Sequence, residues 1–318
     1  MENEKTTWII GDIHGMYDAL RTLIERLDDE HLDKFVFVGD YIDHGPSSKE
    51  VLDLIMRLGD KAISLIGNHE HLLLQTLFDE KFQENWGTRI WEENGAESTV
   101  RSFGCRDIDE FAQNVEPKYI DFLKNLKCFH VESFQDETTE IKFLITHGGV
   151  MPNIPLAEQL ALNNYLDHNR LMDERNIWIE DSFLWIRSDF FRAEPAHWDG
   201  YVVIHGHSPT HLMDYTLRDF DLERDLDQKT QLYIRTHPED EERIVSIDID
   251  TGAAFGRRLT ALGLKPSALQ YGWFEIQTIQ LDIKQGYYRT YPFIRERFDV
   301  QGFDIDNESP ESPDSVDP

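Results

Sequence analysis

Short apolar runs punctuate the first seventy residues. Trp8-Ile9-Ile10, Phe35-Val36-Phe37-Val38 and Ala62 to Ile66 are too brief for helices and show almost no polar alternation. Such runs predict strands covered on both faces. Between them lie segments of helical period. Tyr17 to Leu27 brings Leu20, Leu23, Ile24 and Leu27 to one face, and Ser47 to Leu58 repeats the pattern with Val51, Leu52, Leu54, Ile55 and Leu58. The alternation predicts an α/β fold. In such folds the polar loops that leave the strand ends carry the chemistry.

After Glu70 the period changes. His71 to Phe78 continues as an apolar helix, and Asp79 to Phe122 is mixed and charged, with turn signals at Asn94-Gly95 and Phe103-Gly104. Residues 71–135 are therefore expected to form a helical cap beside the sheet. Strands resume at Phe143-Leu144-Ile145-Thr146. A helical interlude over 156–192 and the strand Tyr201-Val202-Val203-Ile204 follow. Residues 211–243 carry two acidic patches, which predicts a surface insertion. Ile244 to Ile249 returns as a strand, and 273–283 alternates enough for one or two more. Residues 304–318 are Asp, Glu, Ser and Pro with almost nothing apolar, an expected disordered acidic tail. The expectation is one domain over 1–303.

Composition narrows the partners. The chain of 318 residues has 61 acidic against 31 Lys and Arg side chains, a formal net charge of −30. That balance repels nucleic acid and anionic membranes. The two cysteines, Cys105 and Cys128, give no disulfide framework. No apolar stretch is long enough to span a bilayer and none opens the chain, so a soluble cytoplasmic protein is expected.

The residues that follow the strands form one chemical set: Asp12, His14, Asp40, Asn68, His147 and His207. All offer oxygen or imidazole nitrogen and none is a thiolate. This donor mixture suits manganese first, with iron or zinc as alternatives. Glycines beside each ligand let the backbone turn off the strand and point the side chain back over the sheet edge. One carboxylate can serve two cations, and paired cations sharpen a water between them. His205, two residues before His207, is expected to point the other way and to be structural. Asp250 is expected to support the site rather than to ligate.

Gly11-Asp12-Ile13-His14-Gly15, Gly39-Asp40-Tyr41-Ile42-Asp43-His44-Gly45 and Gly67-Asn68-His69-Glu70 resemble the three signatures of the phosphoprotein phosphatase family of calcineurin-like metallophosphoesterases. His147-Gly148 and Gly206-His207 are similar to its two later histidine motifs. The likeness covers roughly residues 8–260. Trp91 to Phe103 and Asp250-Thr251-Gly252-Ala253 look most like the bacterial serine/threonine phosphatase branch. The resemblance implies a central β-sandwich flanked by helices and two divalent metal ions. Asp12 and His14 would bind the first ion, Asp40 would bridge, and Asn68, His147 and His207 would complete the second. It further implies direct in-line attack by a hydroxide between the metals, with His69 as general acid, Asp43 holding its ring, and Arg187 and Asn68 on the substrate phosphate. A carboxylate beside His69 is expected to favour its imidazolium form.

One position departs from the pattern. Where the family has arginine this chain has His44, which lacks the planar fork that grips phosphate. Weaker phosphate affinity and a more acidic optimum than in a His44→Arg variant are expected. The leading reading is a phosphomonoester hydrolase acting on phosphoserine and phosphothreonine in proteins. The first alternative is a symmetrical diadenosine tetraphosphate hydrolase, a related class that usually lacks the aspartate found here as Asp43. The second is a phosphoprotein-binding module with little turnover. Either a phosphorylated protein or a small phosphoester would be the substrate.

Overall fold

The computed structural model describes residues 6–27, 34–135, 140–198, 200–213, 225–265 and 273–297. The three early apolar runs become the parallel strands β1 (Thr7–Ile10), β2 (Lys34–Phe37) and β3 (Ala62–Ser64). Between them lie α1 (Tyr17–Leu27), with Ala19, Leu20, Leu23, Ile24 and Leu27 buried, and α2 (Ser48–Leu58). After β3 comes α3 (Asn68–Phe78). The cap then runs through α4 (Glu80–Trp86), α5 (Arg89–Glu93), α6 (Ala96–Ser102), α7 (Ile108–Asn114) and α8 (Pro117–Lys124).

The second half alternates again. β4 (His130–Gln135) and β5 (Glu140–Ile145) form an antiparallel pair. The interlude holds α9 (Leu156–Leu160), α10 (Tyr165–Arg175) and α11 (Ser188–Arg192). There follow β6 (Val202–His205), β7 (Tyr233–His237), β8 (Asp240–Asp248), β9 (Arg258–Leu264), β10 (Trp273–Asp282) and β11 (Tyr287–Arg297).

These strands make two mixed sheets. The first runs β3-β2-β1-β9-β10-β11, and the second runs β7-β8-β6-β5-β4. They meet at one parallel rung, Arg297 against Arg243. The residue alternation shows why the runs read as continuously apolar. Ile9, Val36 and Val38 point inward, where they join Ile145, Ile204, Ile247, Ile249 and Leu262 in the core between the sheets. Their neighbours Trp8, Ile10, Phe35 and Phe37 point outward under α1, α2 and the cap. Leu144, Val203 and Val245 do the same for the second sheet, under Phe190, Phe191 and Trp198.

Two expected boundaries are corrected. The cap does not extend to residue 135, because His130–Gln135 is a sheet strand. Only one of its residues is fully buried, so its charged outer positions mask the strand period. Nor is 211–243 a surface insertion throughout. Residues 214–224 lie outside the described residues, but Tyr233–His237 and Asp240 onward form an antiparallel hairpin. The exposed turn at Pro238-Glu239 carries part of the acidic signal, and Leu232 and Tyr233 are buried beneath it. The predicted tail at 304–318 lies outside the described residues.

No helix among the described residues is long and apolar enough to cross a membrane. The fold makes a simple energetic demand at its centre. Leu262 is fully buried between the sheets. Leu262→Ala is expected to cost about 2–5 kcal/mol through lost transfer energy and the residual cavity. Denaturant unfolding followed by far-ultraviolet circular dichroism measures it, and a loss well below that range would mean that the two sheets do not share this core.

Candidate functional site

The loops after β1, β2 and β3 are stitched together by their backbones. Ile13 and His14 both donate their N–H to the Asp40 carbonyl, at 3.0 and 2.8 Å, and Gly15 N–H donates to the Tyr41 carbonyl at 2.8 Å. The third loop is tied in by Glu70. Its Oε2 accepts from the N–H groups of Asp40 (2.9 Å) and Gly67 (3.0 Å), and its Oε1 from those of Tyr41 (2.8 Å) and Ile42 (3.3 Å). One carboxylate therefore satisfies four amides that bend away from the strands. Burial pushes Glu70 up to about 7 although these four bonds pull the other way.

The framework brings the six expected ligands into one buried place. Asp40, His147 and His207 offer atoms within 4.8 Å of one another, and so do Asp12, His14 and Asp40. Asp40 is common to both groups. The hydrogen bonds of the rings decide which nitrogen faces inward. His14 donates from Nδ1 to the Ile42 carbonyl at 3.0 Å, His147 from Nδ1 to the Val38 carbonyl at 3.0 Å, and His207 from Nε2 to the Trp185 carbonyl at 3.1 Å. Each ring spends its N–H outward, as metal-binding histidines do, and aims its lone pair at the centre.

That leaves acceptors facing acceptors. His147 Nε2 is 2.8 Å and His207 Nδ1 2.9 Å from Asn68 Oδ1, while His14 Nε2 and His147 Nε2 each stand 3.4 Å from an oxygen of Asp40. Asp12 Oδ2 takes the His207 N–H at 3.0 Å, and its buried Oδ1 has no hydrogen-bond partner among the described residues. Burial, followed by the charges of Asp250 and Asp40, raises Asp12 well above the carboxylate range. Burial and then Glu70 raise Asp40. Burial also holds His14, His147 and His207 well below the ordinary imidazole value, so the rings are neutral. A pocket of neutral imidazoles, an amide oxygen and crowded carboxylates is a donor set that fits divalent cations.

Glycines make room for it. A Cβ on Gly67 would run into Asp40 Oδ1, and one on Gly206 into Asp12 Oδ1. The site is also strained. Among the described non-glycine residues with positive φ are His14 (48°), Asp40 (53°), Asp43 (69°), His44 (63°) and His207 (69°), a concentration typical of functional loops.

His69 lies at the edge of this centre. Its Nδ1 is 2.8 Å from Asp43 Oδ2, and its Nε2 is 3.8 Å from Asp40 Oδ2. The expectation that Asp43 would hold the ring as imidazolium is not met. Burial, followed by the charges of His44 and Arg187, pushes His69 down to about 3, and burial pushes Asp43 up to about 7. Desolvation outweighs the carboxylate at both groups. Two residues that sequence reasoning did not assign fix Asp43 from the cap. Trp91 Nε1 donates to Oδ2 at 3.0 Å, and Thr99 Oγ1 donates to Oδ1 at 2.6 Å. Contacts spanning 48 and 56 residues leave no local signal. Glu70 did have one, an acid at the third position of a helix that starts at Asn68.

The remaining expected residues also reach the site. Exposed His44 stands edge-on to His14 and His69, with ring centroids 4.9 and 5.1 Å away. Arg187 donates from Nη1 to the His207 carbonyl and to Ser208 Oγ, so its Nε and Nη2 remain available for a ligand among the described residues. His205 packs against Phe190 and Phe191, away from the centre. Asp250 accepts the Gly252 N–H at 3.0 Å and acts on Asp12 through its charge.

Comparison with known proteins matches this geometry to a family. The calcineurin-like phosphoesterase model matches residues 5–237. A symmetrical bis(5'-nucleosyl)-tetraphosphatase of Baumannia cicadellinicola is 47% identical over 70 residues, 21% of this chain and 24% of that protein. An asymmetrical bis(5'-nucleosyl)-tetraphosphatase, PrpE, of Halalkalibacterium halodurans is 26% identical over 265 residues, covering 80% of this chain and 88% of that protein. The chain thus spans about a quarter of the first of these relatives, and 60% of the symmetrical enzyme of Aliivibrio fischeri. Among solved structures, the cold-active protein-tyrosine phosphatase of a psychrophilic Shewanella superposes with a TM-score of 0.52 at 18% identity, over 91% of this chain and 80% of that one, a likeness of fold. With a family match over most of its length and the family's two-sheet fold, the chain belongs to the calcineurin-like phosphoesterases and is a metallophosphoesterase.

Proposed function

We propose that this chain hydrolyses a bis(5'-nucleosyl) tetraphosphate, adding one water to the phosphate chain. The observation that carries the reading is the relative matched over 88% of its own length, which is named for that reaction in its asymmetrical form. We infer the same mode here, so one water would split the tetraphosphate into a nucleoside triphosphate and a nucleoside monophosphate. Hydrolysis of phosphoserine and phosphothreonine in proteins is placed second, supported by the intact pair of Asp43 and His69 at 2.8 Å.

Asp12, His14, Asp40, Asn68, His147 and His207 would hold two divalent cations, with manganese the best match to a set of carboxylates, imidazoles and an amide. Bound there, such cations lower the pKa of a water and neutralise charge on phosphate oxygens. The chain's own residues do the rest. Arg187 presents free guanidinium donors to a phosphate oxygen, and Asn68 and His44 border the same space. His69 passes a proton at Nε2 to the departing oxygen, while Asp43 steadies the ring through Nδ1. Trp91 and Thr99 fix Asp43, so the cap sets the angle at which His69 meets the substrate.

The substrate is decided by assaying the purified protein against diadenosine tetraphosphate and a phosphoserine peptide, each across a series of divalent metals. The expected result is a higher kcat/KM on the tetraphosphate, with a nucleoside triphosphate and monophosphate as products. Preference for the peptide would overturn the reading, and no turnover with any metal would leave a binding module. His69→Asn supplies the control. An alkoxide leaving group needs a proton far more than a phosphate does, so the loss should approach about 10²–10⁴-fold on the peptide and be much smaller on the tetraphosphate.

Gly67→Ala tests the metal centre without touching a ligand. The new methyl group collides with Asp40 Oδ1, so the variant should bind fewer cations by elemental analysis after dialysis. Full cation content would argue against Asp40 as the shared ligand. His44→Arg should lower the KM for phosphoesters by roughly tenfold, as expected when a charge-assisted bond is gained. An unchanged KM and pH profile would mean that His44 does not meet the phosphate.

A further inference from the structure

We propose that a second cavity, beside the metal centre, receives the non-reacting nucleoside phosphate of the dinucleoside substrate. This inference rests on the tetraphosphate reading above. The cavity, of about 210 Å³, is lined by the loops that leave β6 and β8 together with the turn between β10 and β11, and its walls include Thr210, His211, Thr251, Arg257 and Lys284.

Its position follows from the site. Thr210 comes three residues after His207, so their Cα atoms are at most roughly 11 Å apart. Its N–H donates to the carbonyl of Asp250 at 2.9 Å, and the Asp250 charge acts on Asp12. The strand ends that carry the metal-centre residues therefore continue directly into the cavity wall. A phosphomonoester bound at the centre would not reach that far, whereas a tetraphosphate chain with a nucleoside at its far end would.

Its chemistry suits such a ligand. Arg257 and Lys284 are exposed, and neither side chain has an ion-pair or hydrogen-bond partner among the described residues. Other exposed cations are paired with acids: Lys81 with Asp173, Arg89 with Glu93 and Arg106 with Glu110. Two cations left unpaired at one cavity leave their donors for an anionic ligand. Beside them Phe255 leaves 50% of its ring in solvent, edge-on to His211 at 4.8 Å between centroids. His211 Nδ1 is buried without a hydrogen-bond partner among the described residues. An exposed aromatic face next to unpaired cations and an unsatisfied ring nitrogen is the combination that stacks a base and holds its phosphate.

The test compares two variants with the unaltered, metal-loaded chain. In Arg257→Gln/Lys284→Gln, the KM for diadenosine tetraphosphate should rise about tenfold, as should the inhibition constant of inorganic tripolyphosphate, while kcat/KM on 4-nitrophenyl phosphate stays within twofold. In Phe255→Ala, the KM for diadenosine tetraphosphate should rise by a similar factor with no change in tripolyphosphate inhibition. A normal Phe255→Ala variant beside an impaired double variant would make the cavity a bare phosphate site and overturn the nucleoside assignment. Equal losses on 4-nitrophenyl phosphate, or no effect of either variant, would overturn the proposal outright. Failure of the unaltered chain to hydrolyse diadenosine tetraphosphate would instead remove the substrate reading on which it rests.

Discussion

Lone pairs that face one another across less than 3 Å are the central constraint on this molecule. His147 Nε2 and His207 Nδ1 both confront Asn68 Oδ1, and the carboxylates of Asp12 and Asp40 crowd the same space. Left alone, such an arrangement is repulsive, and burial makes it more so because water cannot screen it. Among the described residues no Lys or Arg forms an ion pair with Asp12 or Asp40, although the Arg187 charge acts on both. Arg187 turns Nη1 to the back of the His207 loop. The arrangement makes sense only as a receptor for positive charge, and much of the surrounding architecture can be understood as the means of holding acceptors together against their repulsion.

The means are chiefly backbone. Three loops leave three adjacent parallel strands, and the N–H groups of the first donate to the carbonyls of the second. Glu70 gathers four amides from the second and third. Without such bonds the sharp bends at His14, Asp40 and Asp43, all at positive φ, would relax. Each of these rings, His14, His147 and His207, is anchored through its outward nitrogen to a main-chain carbonyl of another loop, so ring orientation is inherited from the sheet rather than from flexible side chains. The close seats of Asp40 against Gly67 and of Asp12 against Gly206 have the same effect, because neither carboxylate has room to turn away.

This explains which parts of the molecule were legible in the chain alone. Trp8-Ile9-Ile10 and Phe35 to Val38 announce buried strands because both faces are covered, and the candidate ligands follow at once in sequence. Local spacing thus encodes the centre almost directly. The strand His130–Gln135 was hidden because only Phe134 is fully buried, and the hairpin at 233–248 because acids cluster about its turn. Trp91 and Thr99 meet Asp43 only after the cap folds over the loop, a contact that no window of sequence contains. The direction of the His69 shift is hidden for a related reason. A neighbouring carboxylate is visible in the motif, but complete burial is a property of the folded whole, and here it dominates.

Charge raises a final question that the fold itself answers. A chain of net charge −30 should repel a polyphosphate at long range. In physiological salt, however, the Debye length is about 8 Å, so most of the surface acids are screened from a ligand approaching the sheet edge. What matters is the charge within a few ångströms of the phosphate chain. On the proposed reading, Arg187 there has Nε and Nη2 unpartnered and the Arg257 and Lys284 side chains have no acidic partner among the described residues, while the buried acceptors form a donor set that fits divalent cations. The acidic surface and the proposed polyanionic substrate are therefore compatible, because attraction would be confined to the edge where the strands end, and selectivity left to short-range contacts that screening does not remove.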